Sequence, residues 1–233
     1  MGIRNIGITK IYDGLWEDAM TQFARGQVEL DWYLANRERD QRLGLTVIAR
    51  PSQSIVDQFS ALIHQLRLVE PEQYYYQPDE LHLTILSLFT ATEHSRPFFA
   101  RLANYMSACE AVLSTAECFA VDFCGVTAST GSIMAQGIPQ DGNLEFLRER
   151  LRKALRAQDL SQGLDTRYRL STAHTTLMRF RSPPQALPKL VGILKEYRDY
   201  YFGGMIFRSL QVVKNDWYMS RGRVEVLAEY RLS

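Results

Sequence analysis

The sequence predicts an α+β protein built from two similar lobes, each with the element order β-α-β-α-β, and a central groove between them. Three observations lead to this fold class. Patterns typical of strands and helices alternate from residue 42 onwards, the same order occurs twice, and a short His-x-Thr motif falls on the second strand of each copy. With 233 residues, 46% of them hydrophobic, the chain can bury the core that such a fold requires.

The first lobe is predicted over residues 42–126. Short apolar runs rich in β-branched residues mark its strands, and apolar residues three or four positions apart mark its helices. In chain order, the strand, helix, strand, helix and strand are expected at residues 42–50, 55–66, 80–89, 98–112 and 118–126.

The second lobe is predicted over residues 131–233, and the same two patterns place its elements in the same order. The strand, helix, strand, helix and strand are expected at residues 131–138, 143–158, 168–180, 183–197 and 204–214. A last alternating run at 223–232 should form a hairpin with the strand that precedes it.

Two details of the second lobe concern its helices. The first helix carries a stripe of four leucines, so Asn143 is expected to cap it and its charged back face to be solvated. The second helix is expected to start at Pro183 and Pro184, because proline is tolerated in the first helical turn.

Residues 1–41 lie outside the repeat and form an N-terminal extension to the main domain, residues 42–233. Apolar residues spaced as on one helical face, among them Trp16 and Phe23, predict a short amphipathic helix in the extension. The charged run at 36–42 is interpreted as a solvated connector rather than a nucleic-acid patch.

Composition limits the kind of partner. The net charge is +1, so any phosphate binding must be local. No apolar run approaches the length of a membrane span, and we expect a soluble, cytoplasmic protein that does not bind membranes. Cys109, Cys118 and Cys124 lie in apolar surroundings without metal-type spacing, which favours reduced core thiols over catalytic ones.

The repeated motif carries the chemistry. In "ELHLTILSLF" (80–89) it places His82 beside Thr84, and in "TAHTTLMRF" (172–180) it places His174 beside Thr176. Side chains two apart on a strand share a face, so two such strands side by side would give a cleft with a histidine and a threonine on each wall. One imidazole can take a proton while the other gives one, and hydroxyls can donate to phosphate oxygens.

Other interpretations of the histidines are weaker. A single His-x-Thr on a strand is ordinarily structural, but two at equivalent places in a repeated order are not explained that way. A zinc site needs further ligands at strand spacing, and none accompanies His82 and His174, so no metal is expected. His64 and His94 lie on or near predicted helices and are interpreted as surface or interface residues.

These residues resemble those of the two-histidine (2H) phosphoesterase superfamily, which carries paired His-x-Thr/Ser motifs on central strands of a duplicated α/β fold. The matching stretches are "HLTI" (82–85) and "HTTL" (174–177), and the likeness in element order runs from about residue 42 to the C-terminus. Members include bacterial RNA 2′,3′-cyclic phosphodiesterases, first described as 2′-5′ RNA ligases. The N-terminal stretch also looks like that of a bacterial subgroup.

The resemblance implies roles for individual residues. His82 and His174 would be the general acid and base, and Thr84 and Thr176 would hold the phosphate, without a metal or other cofactor. Arg179, five positions after the second histidine as in ligase-like members, would help to bind phosphate or nucleotide. Simple alternation points Arg179 away from His174 unless the strand twists or bulges.

Aromatic residues near the motifs are candidates for base stacking. They form two clusters, Tyr74 to Tyr76 before the first motif and Trp217 with Tyr218 before the last strand. Packing is the ordinary explanation for such residues. Tyr76 and Trp217 are taken as the candidates to contact a base.

The sequence therefore predicts a metal-independent phosphodiesterase that hydrolyses a cyclic phosphate of a nucleotide or RNA end. Two alternatives stay open: a nucleotide or RNA binding module without turnover, and an RNA end-joining ligase that uses the same site in reverse. The nearly neutral charge speaks against a long RNA tract, so a small nucleotide or an RNA end is the expected partner. No protein partner is evident from the sequence.

Overall fold

The computed structural model describes residues 6–165 and 169–233. Its α-helices in this part of the chain are α1 (Ile6–Phe23), α2 (Trp32–Ala35), α3 (Gln53–Val69), α4 (Arg96–Phe99), α5 (Leu102–Leu113), α6 (Asn143–Ala157) and α7 (Leu187–Glu196). Its strands are β1 (Leu43–Ala49), β2 (Tyr74–Tyr75), β3 (Leu83–Thr92), β4 (Phe119–Ser129), β5 (Ser132–Pro139), β6 (Thr175–Arg179), β7 (Tyr201–Phe207), β8 (Ser209–Asn215) and β9 (Glu225–Arg231).

The strands form two antiparallel sheets. One has the order β3-β1-β8-β9 and the other the order β2-β6-β5-β4-β7. Apart from the short edge strand β2, the sheets correspond strand by strand. Each begins with a motif strand, β3 or β6, and beside it lies β1 or β5, the strand to which it is connected along the chain through a helix. The predicted α+β fold with two related lobes is confirmed.

The two predicted segments do not each form their own sheet. Strand β4 belongs to the segment 42–126 but pairs with β5 and β7 in the second sheet, while β8 and β9 complete the first. The connection between β4 and β5 is only two residues long, and a connection of that length makes consecutive strands antiparallel neighbours. The lobes therefore exchange strands across the predicted boundary.

The strand predicted at 204–214 is in fact two strands. Only Arg208 separates β7, which joins the second sheet, from β8, which joins the first. The chain crosses between the lobes at this residue. The hairpin with the last strand is confirmed for β8, which pairs with β9 from Ser209–Arg231 to Lys214–Glu225.

Two predicted helix starts are wrong. Helix α7 begins at Leu187, because the Glu70 carboxylate accepts the backbone N–H groups of Gln185 and Ala186 and holds the residues after the prolines in a loop. Asn143 is the first residue of α6 rather than its cap, and its side-chain amide donates to the carbonyl oxygen of Cys118 at 2.9 Å.

The charged face of α6 is not solvated throughout, contrary to expectation. Arg148 and Arg152 are 1% and 0% exposed. The Arg152 guanidinium donates to the carboxylates of Glu149 and Asp165 at 2.6 and 2.8 Å and to the Leu170 carbonyl oxygen at 3.0 Å. Charge-assisted hydrogen bonds of this kind allow an arginine to be buried.

The N-terminal helix is longer than predicted and packs on β4. Tyr12 is fully buried; its hydroxyl donates to the Gly137 carbonyl oxygen and accepts the Ala173 N–H, both at 3.1 Å. A side chain at Gly137 would overlap the Ala173 carbonyl oxygen, since a Cβ there would lie 1.9 Å from it. Helix α1 thereby fixes the residue that precedes His174.

The run at 36–42 is not simply a solvated connector. Asp40 is 3% exposed and forms a 2.8 Å ion pair with the half-buried Arg42. Of the cysteines, Cys109 is buried, and burial raises the pKa of its thiol to about 12, so it stays protonated at neutral pH. None of the helices described is long and apolar enough to cross a membrane.

Candidate active site

The two motifs meet in one pocket. His82 and His174 are each the residue immediately before a strand, β3 and β6, in equivalent positions of the two sheets. The pocket has a volume of about 180 Å³ and contains both histidines and both motif threonines. The predicted cleft with one histidine and one threonine from each lobe is therefore present.

A β-bulge follows each motif at the same position. In the first sheet Ile48 pairs with Thr84 and Val47 with Leu86, which leaves Ile85 unpaired. In the second sheet Met134 pairs with Thr176 and Ile133 with Met178, which leaves Leu177 unpaired. A bulge inserts one residue and changes the face on which the following side chains lie.

The bulges place the fifth residue after each histidine in the pocket. These residues are Ser87 in the first lobe and Arg179 in the second, and both line the pocket with the motif residues. The expectation from simple alternation, that Arg179 would point away from His174, is therefore wrong. Its physical cause is the bulge at Leu177.

Arg179 is held by Tyr76. Its Nε donates to the Tyr76 hydroxyl at 3.0 Å. Burial opposes the charge on Arg179, but the contact with Tyr76 favours it, and the pKa of the guanidinium lies above its usual value. Tyr76 lines the pocket but is only 2% exposed, so its ring offers little surface for stacking on a base, whereas Trp217 is half-buried in the same wall.

Each histidine has a hydrogen-bond partner for Nδ1. The Nδ1 of His82 lies 2.7 Å from the Glu80 carbonyl oxygen, and because a carbonyl only accepts, this nitrogen carries the proton. The Nδ1 of His174 lies 2.9 Å from the Thr172 hydroxyl, which can donate or accept. In both residues Nε2 is the nitrogen left to exchange a proton with a ligand.

The histidines are neutral in the free protein at neutral pH. Burial lowers the pKa of His82 to about 4, and burial together with the positive charge of Arg148 lowers the pKa of His174 to about 4. A group that must act as an acid near pH 7 would therefore need a bound anion beside it to keep its proton.

Sequence reasoning missed Arg148, which joins the first motif strand to the segment just before His174. Its Nη2 donates to the carbonyl oxygens of Thr84 at 3.0 Å and Thr172 at 2.8 Å, and its Nε donates to that of the bulge residue Ile85 at 2.9 Å. Burial lowers the pKa of this guanidinium to about 10, so it remains charged at neutral pH. Its spacing of four residues from Leu144, within the leucine stripe, was the signal available in the sequence.

His64 and His94 are both exposed, as expected, and neither lines the pocket. Within residues 6–165 and 169–233, no group of three or more histidines, cysteines and acidic residues is placed to hold a metal ion.

Several solved structures share this architecture. The TT0787 protein of Thermus thermophilus gives a TM-score of 0.57 with 17% identity, over 81% of this chain and 97% of its own. The LigT protein of E. coli, in a complex with 3′-AMP, gives a TM-score of 0.51 with 16% identity, over 83% of this chain and 99% of its own. A protein described as a phosphoesterase gives the same score, identity and shares. No protein-family model and no curated protein matches the sequence.

At identities this low, the likeness concerns the fold. The chain has the bilobal fold of the two-histidine phosphoesterases, and the resemblance inferred from its paired motifs is confirmed at that level.

Proposed function

We propose that this protein is a metal-independent phosphodiesterase that hydrolyses a cyclic phosphate of a nucleotide or RNA end. The observation that carries the proposal is the pairing of His82–Thr84 with His174–Thr176 in one small pocket. Two proton-transfer groups and two hydroxyl donors can together catalyse in-line hydrolysis of a phosphodiester.

In the proposed reaction, the hydroxyls of Thr84 and Thr176 and the guanidinium of Arg179 donate to the non-bridging phosphate oxygens. One histidine takes a proton from water as the water oxygen forms its bond to phosphorus. The other histidine gives a proton to the ribose oxygen as its bond to phosphorus breaks. The product is a phosphomonoester with a free neighbouring hydroxyl, and the two histidines have exchanged protonation states, which solvent restores.

The lowered pKa values fit this scheme when the substrate is included. Both imidazoles are neutral in the free protein, so one is ready to act as base. The negative phosphate beside the other raises its pKa and allows it to act as acid. The LigT protein, which has the same fold, binds the nucleotide 3′-AMP in its solved complex, and this supports a nucleotide ligand for the related fold here.

The proposal is tested by incubating the protein with 2′,3′-cyclic mononucleotides, a short RNA ending in a cyclic phosphate, 2′-5′ oligoadenylate and ADP-ribose cyclic phosphate. Turnover of a cyclic phosphate, retained after treatment with a chelator, is the expected result. Binding without turnover across the panel would instead identify a binding module, and joining of RNA ends would identify a ligase.

The histidines are tested on the substrate that is turned over. Replacing His82 or His174 with alanine should lower kcat by about 100- to 10,000-fold, the range for losing a positioned proton-transfer group. The double variant should lose much less than the product of the single effects, because the two groups act as a unit. His64→Ala is the matched control, since that histidine is exposed and outside the pocket. Near wild-type kcat in both single variants would refute the mechanism.

A further inference from the structure

Part of the N-terminal extension joins the two lobes beside the active site. Its residue Asp31 donates its backbone N–H to the Phe180 carbonyl oxygen, just after β6, at 2.9 Å. The Asp31 carboxylate accepts the Tyr218 hydroxyl, in the loop between β8 and β9, at 2.7 Å. One residue of the extension therefore contacts the end of the second motif strand and a loop of the first sheet.

Trp217 is linked to the extension through Arg42, the first residue of the main domain. The Arg42 guanidinium lies 4.0 Å from the ring centre of Tyr33 and 4.8 Å from that of Trp217. Its charge is balanced by the 2.8 Å ion pair with Asp40, which is nearly fully buried. A cation this close to two aromatic ring centres, and held by a buried carboxylate, attracts both rings.

A second cavity, about 730 Å³ in volume, adjoins the catalytic pocket. The two share His174, Thr176, Arg179 and Trp217, so they are continuous on the side of the second motif. The outer wall of the cavity comes from the N-terminal extension, including Trp32. Its volume lies in the usual range for small-molecule sites, whereas the catalytic pocket is about four times smaller.

This wall presents apolar surface to solvent. Ile11, Leu30 and Trp32 are 41%, 41% and 53% exposed, and all three line the cavity. Large apolar side chains exposed together mark a binding surface. Trp32 is the aromatic residue of the three.

The charged groups of the cavity favour an uncharged group over a second phosphate. Three arginines line the cavity, and one of them, Arg179, is assigned to the phosphate of the substrate. Arg42 is paired with Asp40, and Arg169 with Glu149 at 2.7 Å, so the other two cations already have carboxylate partners. The carboxylates of Glu29 and Asp31 lie in the same wall as Trp32. A second phosphate there would meet negative charge, whereas amino and hydroxyl groups would meet hydrogen-bond acceptors.

We propose that this cavity binds the nucleoside part of the substrate, with its base stacked on Trp32, while the motif residues hold the phosphate. The inference rests on the proposed function and assigns the N-terminal extension to substrate selection. The substrate is then a nucleoside cyclic phosphate or the terminal nucleotide of an RNA, and a cyclic phosphate without a base is a poor substrate.

The test compares adenosine 2′,3′-cyclic phosphate with glycerol 1,2-cyclic phosphate, which has the same reacting group and no base. The measured quantity is kcat/KM for the adenosine substrate divided by kcat/KM for the glycerol substrate. Trp32→Ala should lower this ratio by about 5- to 150-fold, the effect of losing one base–aromatic stack. Trp32→Phe should restore most of the preference. Phe146→Ala removes an aromatic side chain that is 65% exposed and outside both cavities, and it should leave the ratio unchanged.

An unchanged ratio in Trp32→Ala, or an equal loss on both substrates, would overturn the inference and leave the proposed function intact. If the wild type hydrolyses neither substrate, calorimetric titration of the wild type and Trp32→Ala with 3′-AMP and with inorganic phosphate decides instead. If the variant binds 3′-AMP more weakly but binds phosphate as the wild type does, the nucleoside site is supported even though no enzymatic activity is found. Equal binding of 3′-AMP by both proteins would overturn it.

Discussion

Replacing Arg148 with methionine should destabilise the protein and disturb its active site together. The substitution removes three hydrogen bonds to the carbonyl oxygens of Thr84, Ile85 and Thr172 and leaves these groups without a charged donor. A hydrogen bond that involves a charged group contributes about 1.5–3 kcal/mol. Part of that sum is offset because a buried charge is no longer desolvated, so we expect the free energy of unfolding to fall by about 3–5 kcal/mol.

Urea denaturation, monitored by circular dichroism, measures this loss in the free energy of unfolding. Arg148→Lys keeps the charge but cannot reproduce the three-donor geometry of a guanidinium, so it should fall between the wild type and Arg148→Met. Arg156→Met is the matched control, because Arg156 is an exposed arginine on the same helix, and substitutions at exposed sites usually change stability by less than about 0.5 kcal/mol.

Activity separates a structural from a positioning role. If Arg148 holds the bulge residue and the segment before His174 in position, Arg148→Lys should lower kcat more than it raises KM, at a temperature where the variant is fully folded. An Arg148→Met variant within about 1 kcal/mol of the wild type, with unchanged kcat, would refute the view that this guanidinium links the two lobes at the motifs.

Three further predictions concern the pocket. Both histidines have a pKa of about 4 in the free protein, so the general acid loses its proton as the pH rises and kcat/KM should fall about tenfold per pH unit above pH 5. The optimum of kcat should lie at higher pH, because the bound phosphate keeps the acid protonated. Coincident pH profiles of kcat and kcat/KM between pH 4 and 9 would contradict this prediction. Thr176→Val should lower kcat/KM by about 100- to 1,000-fold, because it removes one hydrogen-bond donor to the phosphate. Steady-state kinetics that match the wild type would show that the Thr176 hydroxyl does not contact the phosphate. Arg179→Met should lower kcat/KM by about 10- to 150-fold, and Tyr76→Phe should lower it by less, because Tyr76→Phe keeps the charge of Arg179. A larger loss in Tyr76→Phe than in Arg179→Met would show that the Tyr76 hydroxyl, and not the Arg179 guanidinium, contacts the substrate.

Most of the order of elements could be predicted because it depends on local periodicity, and the two motifs are visible in the sequence itself. The assignment of strands to sheets could not be obtained in this way. Each half contains the same elements, and only the two-residue connection between β4 and β5 indicates that they are neighbours in one sheet. Loop length was therefore a better guide to the topology than the repeat itself.

The bulges show a second limit of sequence reasoning. An alternating pattern assumes two residues per repeat, and a bulge shifts it by one residue without changing the composition. Its signal is a pair of adjacent apolar residues within the strand, and Ile85–Leu86 and Leu177–Met178 are such pairs, both buried. Reading these doublets as bulges would have placed Ser87 and Arg179 in the pocket beforehand.

The repeat makes the two halves of the site appear interchangeable, and the structure shows how they differ. The Nδ1 of His82 is fixed by a backbone carbonyl, whereas that of His174 contacts a hydroxyl that can rotate. The fifth position after the histidine is Ser87 in one lobe and Arg179 in the other, and the large cavity opens only on the side of His174 among the residues described. These differences come from residues outside the motifs, so two equivalent motifs can bind a substrate in a single orientation.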